Sequence, residues 1–129
     1  MKARENALRI RQHVVDEKNR KVEDLERMIR EFDTMAADLD RQIQAEEDRT
    51  GIRDRAHFSY STFAKSAAQR RDNLRTSNEG MRDKLNEAIR ERDEAAEQFA
   101  RFAAQSEVRE EMRIGHRRRP ERLTTAMLR

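Results

Sequence analysis

Apolar residues recur at seven-residue intervals through the first half of the chain. One row consists of Leu8, Val15, Val22, Ile29, Ala36 and Ile43, and a second row, three positions further on, contains Leu25, Phe32 and Leu39. This repeat is the pattern of a coiled-coil helix. Because neither glycine nor proline interrupts it between residues 4 and 48, it predicts one long helix over about residues 3–49.

The second half of the chain carries a matching row. It consists of Ala67, Leu74, Met81, Ala88, Ala95 and Phe102. When the two rows are paired in opposite order, the numbers of each pair add up to 110, so the rows are mirror images about Arg55. We therefore predict an all-α fold, a long antiparallel two-helix coiled-coil hairpin with its second helix over about residues 62–113.

The mirror relation also predicts which residues face each other across the hairpin. The expected partners are Ile29 with Met81, Ala36 with Leu74, Val22 with Ala88, and Leu25 near Leu85. A slip of seven residues satisfies the same periodicity, so this register is a hypothesis that cross-linking of cysteines placed at positions 29 and 81 tests.

A turn is predicted over about residues 50–61, where the periodicity stops. Gly51 supplies the left-handed conformation that ends a helix, and Ile52 is placed to fold back on the last turn of that helix. Ser61 or Ser59 is expected to cap the next helix. The aromatic residues of this region are expected to pack over the end of the hairpin rather than to form a binding surface. They are Phe58, Tyr60 and Phe63.

Some residues depart from a simple two-helix seam. Ile10, Val14, Met28 and Met35 lie beside the first row and widen it, which indicates a helix covered by one partner and partly by another. In the second helix, Asn78 falls on the seam and Gly80 follows two residues later. We interpret Asn78 as a buried polar residue that specifies register and Gly80 as exposed, the alternative being a flexible joint or a close partner contact.

Basic residues concentrate at the C-terminus. Residues 112–129 contain six arginines and one acid, a net charge of +5, so residues 1–111 carry −2 of the total of +3. We predict a flexible basic tail over residues 115–129 that contacts phosphates, acidic protein surfaces or anionic lipid. Its contact residues are expected to be Arg113, Arg117, Arg118, Arg119 and Arg122. Because no base-reading motif is present, nucleic acid is the less favoured partner.

Composition narrows the class of protein. The chain has 43% charged residues, against about 25% in an average soluble domain, and only 35% hydrophobic residues. A compact globular domain of this length would have too few hydrophobic residues to fill its core. The chain has no cysteine, no signal-peptide core and no apolar run near the roughly 18 residues of a membrane span. We expect a soluble, cytoplasmic protein without a transmembrane segment.

Residue types that carry chemistry are scarce. His13, His57 and His116 are far apart and lack the spacing of a helical metal site. The acidic run 46–48 is interpreted as a solvated helix end rather than as a group that enters an enzyme's channel. No phosphate-binding glycine loop or nucleophile motif is present. The prediction is a non-enzymatic protein with no catalytic residue, cofactor or metal.

The middle of the chain is similar to a known family. The run AADLDRQIQAEEDRTGIRDRAHFSYSTFAKSAAQRRDNL, residues 36–74, resembles the FliJ family of flagellar type III export proteins, particularly its alphaproteobacterial branch. The specific parts are EEDRTGI, AHF and TFAKSAAQRRDNL, and the similarity extends in pattern over about residues 1–111. Arg55 and Ser61 stand where members of the family tend to carry prolines, and the tail has no counterpart.

The resemblance implies a function in protein export. Members of that family are antiparallel coiled coils similar to the central stalk of rotary ATPases. They engage the hexameric export ATPase, link it to the export gate at the cytoplasmic face of the inner membrane, and help handle substrate chaperones. By analogy with a stalk, the free helix ends are the expected partner-binding surface, around Leu8, Ile10, Val14 and Phe102. The family offers no catalytic residue.

Two other functions remain open from the residues alone. One is a generic coiled-coil scaffold, including a homodimer that pairs two chains in parallel through the same seam. The other is a nucleic-acid-associated coiled coil that acts through its basic tail, in which case binding falls steeply with salt.

Overall fold

The chain folds into two long helices joined by a short connector. The computed structural model describes the backbone of residues 2–128 and the side chains of residues 2–115. Helix α1 spans Lys2–Thr50, helix α2 spans Thr62–Leu128, and the two pack against each other. No strand occurs within the described residues. The predicted all-α helical hairpin is confirmed.

Hydrogen bonds between the helices show that they run antiparallel. Later residues of α1 meet earlier residues of α2: Asp40 accepts from Arg71 at 2.8 Å, and Asp33 accepts from Asn78 at 2.6 Å. The numbers of the residues joined in this way add up to values between 107 and 115. These values scatter around the predicted 110, which favours the predicted register over one slipped by seven residues.

The chain divides into two compact units, residues 20–90 and residues 1–19 with 91–129. In the first of these, the buried side chains of α1 are larger than those of α2. The buried apolar residues of α1 here are Val22, Ile29, Ala36, Leu39 and Ile43, and those of α2 are Ala64, Ala67, Ala68, Met81 and Ala88. Small residues on one helix let its backbone approach the other closely, so a narrow apolar seam holds this unit together.

Polar contacts supplement the apolar packing of the second unit. Among its side chains up to residue 115, Val15 is buried, and so is Ser106. Arg4 Nη1 donates to the Ser106 carbonyl oxygen at 3.0 Å and to Glu110 Oε2 at 3.2 Å. The guanidinium carbon of Arg11 lies 4.2 Å from the centroid of the Phe102 ring, a cation–π contact. Two arginines of α1 therefore contact α2 in this unit, Arg11 over an aromatic ring and Arg4 by hydrogen bonds.

The connector, residues 51–61, ends one helix and begins the other as expected. Gly51 has a φ of 75°, and its N–H donates to the Glu47 carbonyl at 2.8 Å, which terminates α1. Ile52 packs against the apolar cluster of Leu39, Ile43, Tyr60, Ala64, Ala67 and Ala68. Ser61 Oγ, rather than Ser59, caps α2 by accepting from the Ala64 N–H at 3.2 Å.

The prediction that three aromatic residues close the hairpin holds only for Tyr60. Tyr60 is 9% exposed, whereas Phe58 is 95% exposed and Phe63 is 55% exposed. The neighbouring alanines of α2 are already buried against α1, so little room remains for a second large ring. Phe58 instead stacks on His57, with ring centroids 4.7 Å apart.

Helix α2 extends further than predicted. We expected it to end near residue 113 and to give way to a basic tail at 115, but its backbone remains helical to Leu128. Gly115 lacks the positive φ that made Gly51 a terminator, and a glycine within a helix costs only about 1 kcal/mol relative to alanine. The flexibility of the tail stays a prediction, because the side chains from residue 116 lie outside those described.

Candidate partner-binding surfaces

Two glutamates close the hairpin next to the connector. Glu47 accepts a hydrogen bond from the Tyr60 hydroxyl at 2.8 Å, and Glu46 accepts one from the Ser61 hydroxyl at 2.9 Å. Their side chains are only 16% and 18% exposed. The prediction of a solvated helix end is therefore wrong for both residues, because the hydroxyl groups of Tyr60 and Ser61 in the connector donate to them and partly cover them. Asp48 is more exposed and pairs with Arg53.

Two groups at this end of the hairpin have pKa values shifted in opposite directions. Hydrogen bonds from Arg49 and then from Ser61 lower the pKa of the Glu46 carboxyl below its ordinary value of 4.5. Burial, followed by the hydrogen bond to Glu47, raises the pKa of the Tyr60 hydroxyl. Glu46 therefore stays ionised and Tyr60 stays protonated at neutral pH, and these are the states that the observed hydrogen bonds require.

The predicted partner-binding residues lie in the unit of residues 1–19 and 91–129. Ile10 is 66% exposed and Val14 is 40% exposed, four positions apart and so on one side of α1. Leu8 and Phe102 are half-buried, and Phe102 lies beneath Arg11. The structure thus leaves Ile10 and Val14 available for a partner. It also exposes three apolar residues of α2 that the sequence analysis did not select, Val108, Met112 and Ile114.

The predicted basic contact begins at Arg113, whose guanidinium is already paired. Arg113 Nη2 donates to Glu110 Oε1 at 2.6 Å, and Glu110 also pairs with Arg4. The guanidinium of Arg113 lowers the pKa of the Glu110 carboxyl. Arg113 therefore forms an ion pair within its own unit. The other predicted contacts, Arg117, Arg118, Arg119 and Arg122, lie outside the described side chains.

In residues 20–90, one side of the hairpin is closed by a polar ladder. Asp40 accepts from Arg71 and from Arg75, each at 2.8 Å. Two turns earlier in α1, Asp33 accepts from Asn78 and pairs with Arg82 at 3.5 Å. Hydrogen bonding to Asp40 raises the pKa of Arg71, whose side chain is 12% exposed. Charged pairs therefore cover this edge of the apolar seam.

The opposite side of the same unit is an open apolar groove. Its volume is about 560 Å³. It is lined by Phe32, Met35, Asp38, Leu39 and Gln42 of α1 and by Arg70, Asn73, Leu74 and Ser77 of α2. Met35 is 50% exposed and Met28, one heptad earlier, is 40% exposed. Two of the residues that widen the first heptad row, Met28 and Met35, therefore lie on an open side of this unit that no described residue covers.

The two irregular residues of α2 are both accommodated in the helix. Asn78 is 6% exposed, and its amide nitrogen donates to the Ile29 carbonyl at 3.3 Å and to Asp33 Oδ1 at 2.6 Å. A Cβ added at Gly80 would meet no atom within 4 Å. Asn78 is thus a buried polar residue of the seam and Gly80 is exposed, as predicted.

Chemical sites are few among the described residues. His13 pairs with Glu17 at 3.0 Å, His57 stacks on Phe58, and His116 lies outside the described side chains. No group of three or more potential metal ligands occurs in the part of the chain that was described. Across that same part, neither helix has a stretch apolar and long enough to cross a membrane.

Comparison of this chain with protein families, with curated proteins and with solved structures finds no match.

Sequence reasoning therefore located one candidate surface and passed over another. Ile10 and Val14 at the helix ends were selected by analogy with the central stalk of a rotary ATPase. The sequence does carry a signal for the open groove, because Met28 and Met35 lie beside the first heptad row. Periodicity alone does not say whether α2 covers these two residues. The hydrogen bonds of Glu46 and Glu47 had no sequence signal, since acids at a helix end usually face solvent.

Proposed function

We propose that this chain is a non-enzymatic component of a bacterial flagellar type III export apparatus, needed for flagellum assembly and motility. It binds the export ATPase in a stalk-like manner and helps couple that ATPase to the export gate and to substrate chaperones. It acts in the cytoplasm, at the cytoplasmic face of the inner membrane. The observation that carries the proposal is the similarity of residues 36–74 to the FliJ family.

The architecture supports a binding role of this kind. A two-helix hairpin with apolar and charged side chains on its outside offers side-chain contacts to the subunits of a ring. The charged contacts of such an interface permit the partner to move, since exposed charge pairs contribute about 0–1 kcal/mol each.

The contact surface of this proposal is the exposed apolar pair of α1, Ile10 and Val14. Both side chains are exposed without supporting the core, so they can be changed without unfolding the hairpin. Leu8 and Phe102 belong to the same unit and are half-buried. Because apolar anchors dominate most interface energies, a charge at Ile10 or Val14 is expected to weaken binding more than loss of any nearby ion pair.

The direct test is binding of the purified full chain to the export ATPase encoded in the same genome. Complex formation, hexamer assembly and ATP hydrolysis are measured at moderate salt. The proposal predicts binding with stimulated hydrolysis. The variants Ile10→Glu and Val14→Glu are expected to weaken binding at least tenfold, which corresponds to about 1.4 kcal/mol.

A matched control is Phe58→Glu, which places the same charge on an exposed apolar residue of the connector. It is expected to leave ATPase binding unchanged. Absence of binding by the unmodified chain at tens of micromolar, a range in which weak protein contacts are still detected, would contradict the ATPase part of the proposal. The same assay with the export gate and with substrate chaperones then tests its remaining parts.

A further inference from the structure

The hairpin of residues 20–90 is closed on one side only. Aspartates of α1 and arginines of α2 cover one edge of the seam, whereas the groove along the other edge exposes Met28 and Met35 and is lined by Phe32 and Leu39. Met28, Phe32 and Met35 follow each other at spacings of four and three, which is the spacing of a coiled-coil seam, and Leu39, next in this series, is already buried in the hairpin's own core. The open side thus has the pattern of a site for a further helix.

The charges beside the groove identify the kind of helix that fits. On α1, the row next to the apolar residues is acidic and consists of Asp24, Glu31 and Asp38, of which Asp24 and Asp38 also pair with Arg27 and Arg41 within the helix. On α2, the row that borders the groove carries Arg70 and, two heptads later, Lys84. Arg70 and Lys84 form no hydrogen bond or ion pair with any described side chain. The incoming helix therefore needs an apolar stripe flanked by acids that face α2.

Helix α1 itself has this combination of an apolar stripe and an acidic row. We infer that the open groove of residues 20–90 binds a second copy of this chain, with the two α1 helices side by side and each acidic row against the partner's α2. The resulting interface is isologous, because the same surface of each copy forms both halves of the contact. This inference is independent of whether the chain binds an export ATPase.

A parallel arrangement of the two α1 helices fits the side chains best. In that arrangement identical residues meet across the two-fold axis, so Phe32 lies against Phe32 and Gln42 can hydrogen-bond with Gln42. An antiparallel arrangement centred on the same stripe would place the Gln42 amide against apolar Leu25. With the observed pairing of α1 and α2, the parallel arrangement also brings Asp38 of one copy within one helical turn of Arg70 of the other, and Asp24 likewise to Lys84.

Single cysteines test both the contact and its direction. The chain has no native cysteine, so Met28→Cys and Met35→Cys each introduce one thiol. Under mild oxidation, the parallel dimer predicts that both variants form disulfide-linked dimers, with Phe58→Cys as a control that remains monomeric. Cross-linking at position 35 without cross-linking at position 28 would overturn the parallel arrangement.

Mass in solution tests whether the dimer exists without a covalent link. The full chain is expected to approach twice its mass of 15.4 kDa in light scattering as its concentration rises from about 1 to 100 µM. Met35→Glu is expected to raise the dissociation constant at least tenfold, while Phe58→Glu leaves it unchanged. A chain that remains at 15.4 kDa over this whole range would overturn the inference.

A charge exchange separates specific pairing from non-specific apolar association. Arg70→Glu is expected to weaken the dimer, and Arg70→Glu combined with Asp38→Lys is expected to restore it. Circular dichroism confirms that each variant keeps its helical content, since these side chains lie outside the buried seam. Equal weakening by the single and the double variant would contradict the proposed contact between Arg70 and Asp38.

Discussion

At the scale of single residues, polar side chains at the connector determine how the hairpin closes. Ser61 takes part in two interactions, since its hydroxyl accepts from the Ala64 N–H and donates to Glu46. Gly51 is the one described glycine with a positive φ, and it ends α1. Gly51 and the Ser61 cap could be predicted, because a helix-ending glycine and a capping serine are recognised from their local sequence. The hydrogen bond from Ser61 to Glu46 could not, because it depends on how α1 and α2 are aligned in the folded hairpin.

Replacement of Ser61 by alanine should therefore destabilise the hairpin. The variant loses the cap of α2 and the hydrogen bond to Glu46, and loss of an N-cap alone costs about 1 kcal/mol. We expect the free energy of unfolding in urea to fall by about 1–2 kcal/mol. Ser59→Ala is the matched control, because Ser59 does not cap α2, and an equal effect of both changes would contradict the assignment.

The lowered pKa of Glu46 predicts a pH dependence. Because the folded pKa lies below the ordinary value of 4.5, ionised Glu46 stabilises the fold above that pH. This contribution is lost as the pH falls through the folded pKa. We expect Glu46→Gln to be less stable than the unmodified chain at pH 7 and the difference to shrink below about pH 4.5, measured by thermal unfolding. A difference that is constant between pH 7 and pH 3 would contradict it.

At the scale of elements, the two helices contribute unequally to their interface. Within residues 20–90, α1 supplies the larger buried residues and α2 mainly alanines, and a ladder of charged pairs covers one edge of the seam. Heptad spacing predicted both helices and the rows that face each other. It did not predict the ladder or the open groove, because the side on which charged residues meet depends on how the two helices are rotated about their axes.

Asn78 is the residue of this interface that we expect to specify register. Replacement by leucine removes a buried polar group, so we expect the free energy of unfolding to rise by about 1–2 kcal/mol. We also expect the two helices to pair in more than one register. In the unmodified background, cysteines at positions 29 and 81 should cross-link, and in Asn78→Leu pairs slipped by one heptad, such as 29 with 74, should form as well. Unchanged cross-linking would show that other residues set the register.

At the scale of the whole molecule, charge is unevenly distributed along the chain. The net positive charge lies after residue 111, since residues 112–129 carry +5 and residues 1–111 carry −2, and Arg113 at the start of this region is engaged by Glu110. The fold class could be predicted from the sequence because periodicity is a property of entire helices. The boundary of the basic tail could not, because Gly115 is compatible with a helix as well as with its end.

The role of the basic tail can be separated from that of the hairpin by changing charge alone. A full chain with Arg117, Arg118, Arg119 and Arg122 all replaced by serine is expected to bind the export ATPase as well as the unmodified chain does. Any binding of the chain to double-stranded DNA at low salt should be lost, because such binding depends on contacts between arginines and phosphates. Loss of ATPase binding in this variant would shift the proposed contact from Ile10 and Val14 to the tail.

The connector makes few contributions to packing beyond Ile52 and Tyr60. Because Arg55 and Phe58 are exposed, a break in the chain between residues 55 and 56 would leave the buried seam, the charged ladder and the hydrogen bonds of Glu46 and Glu47 in place. Separately produced fragments 1–55 and 56–129 should then reassemble, with an affinity that reports the helix–helix contact directly. The protein would thus serve as a split tag, in which helix pairing brings together two proteins fused to its halves.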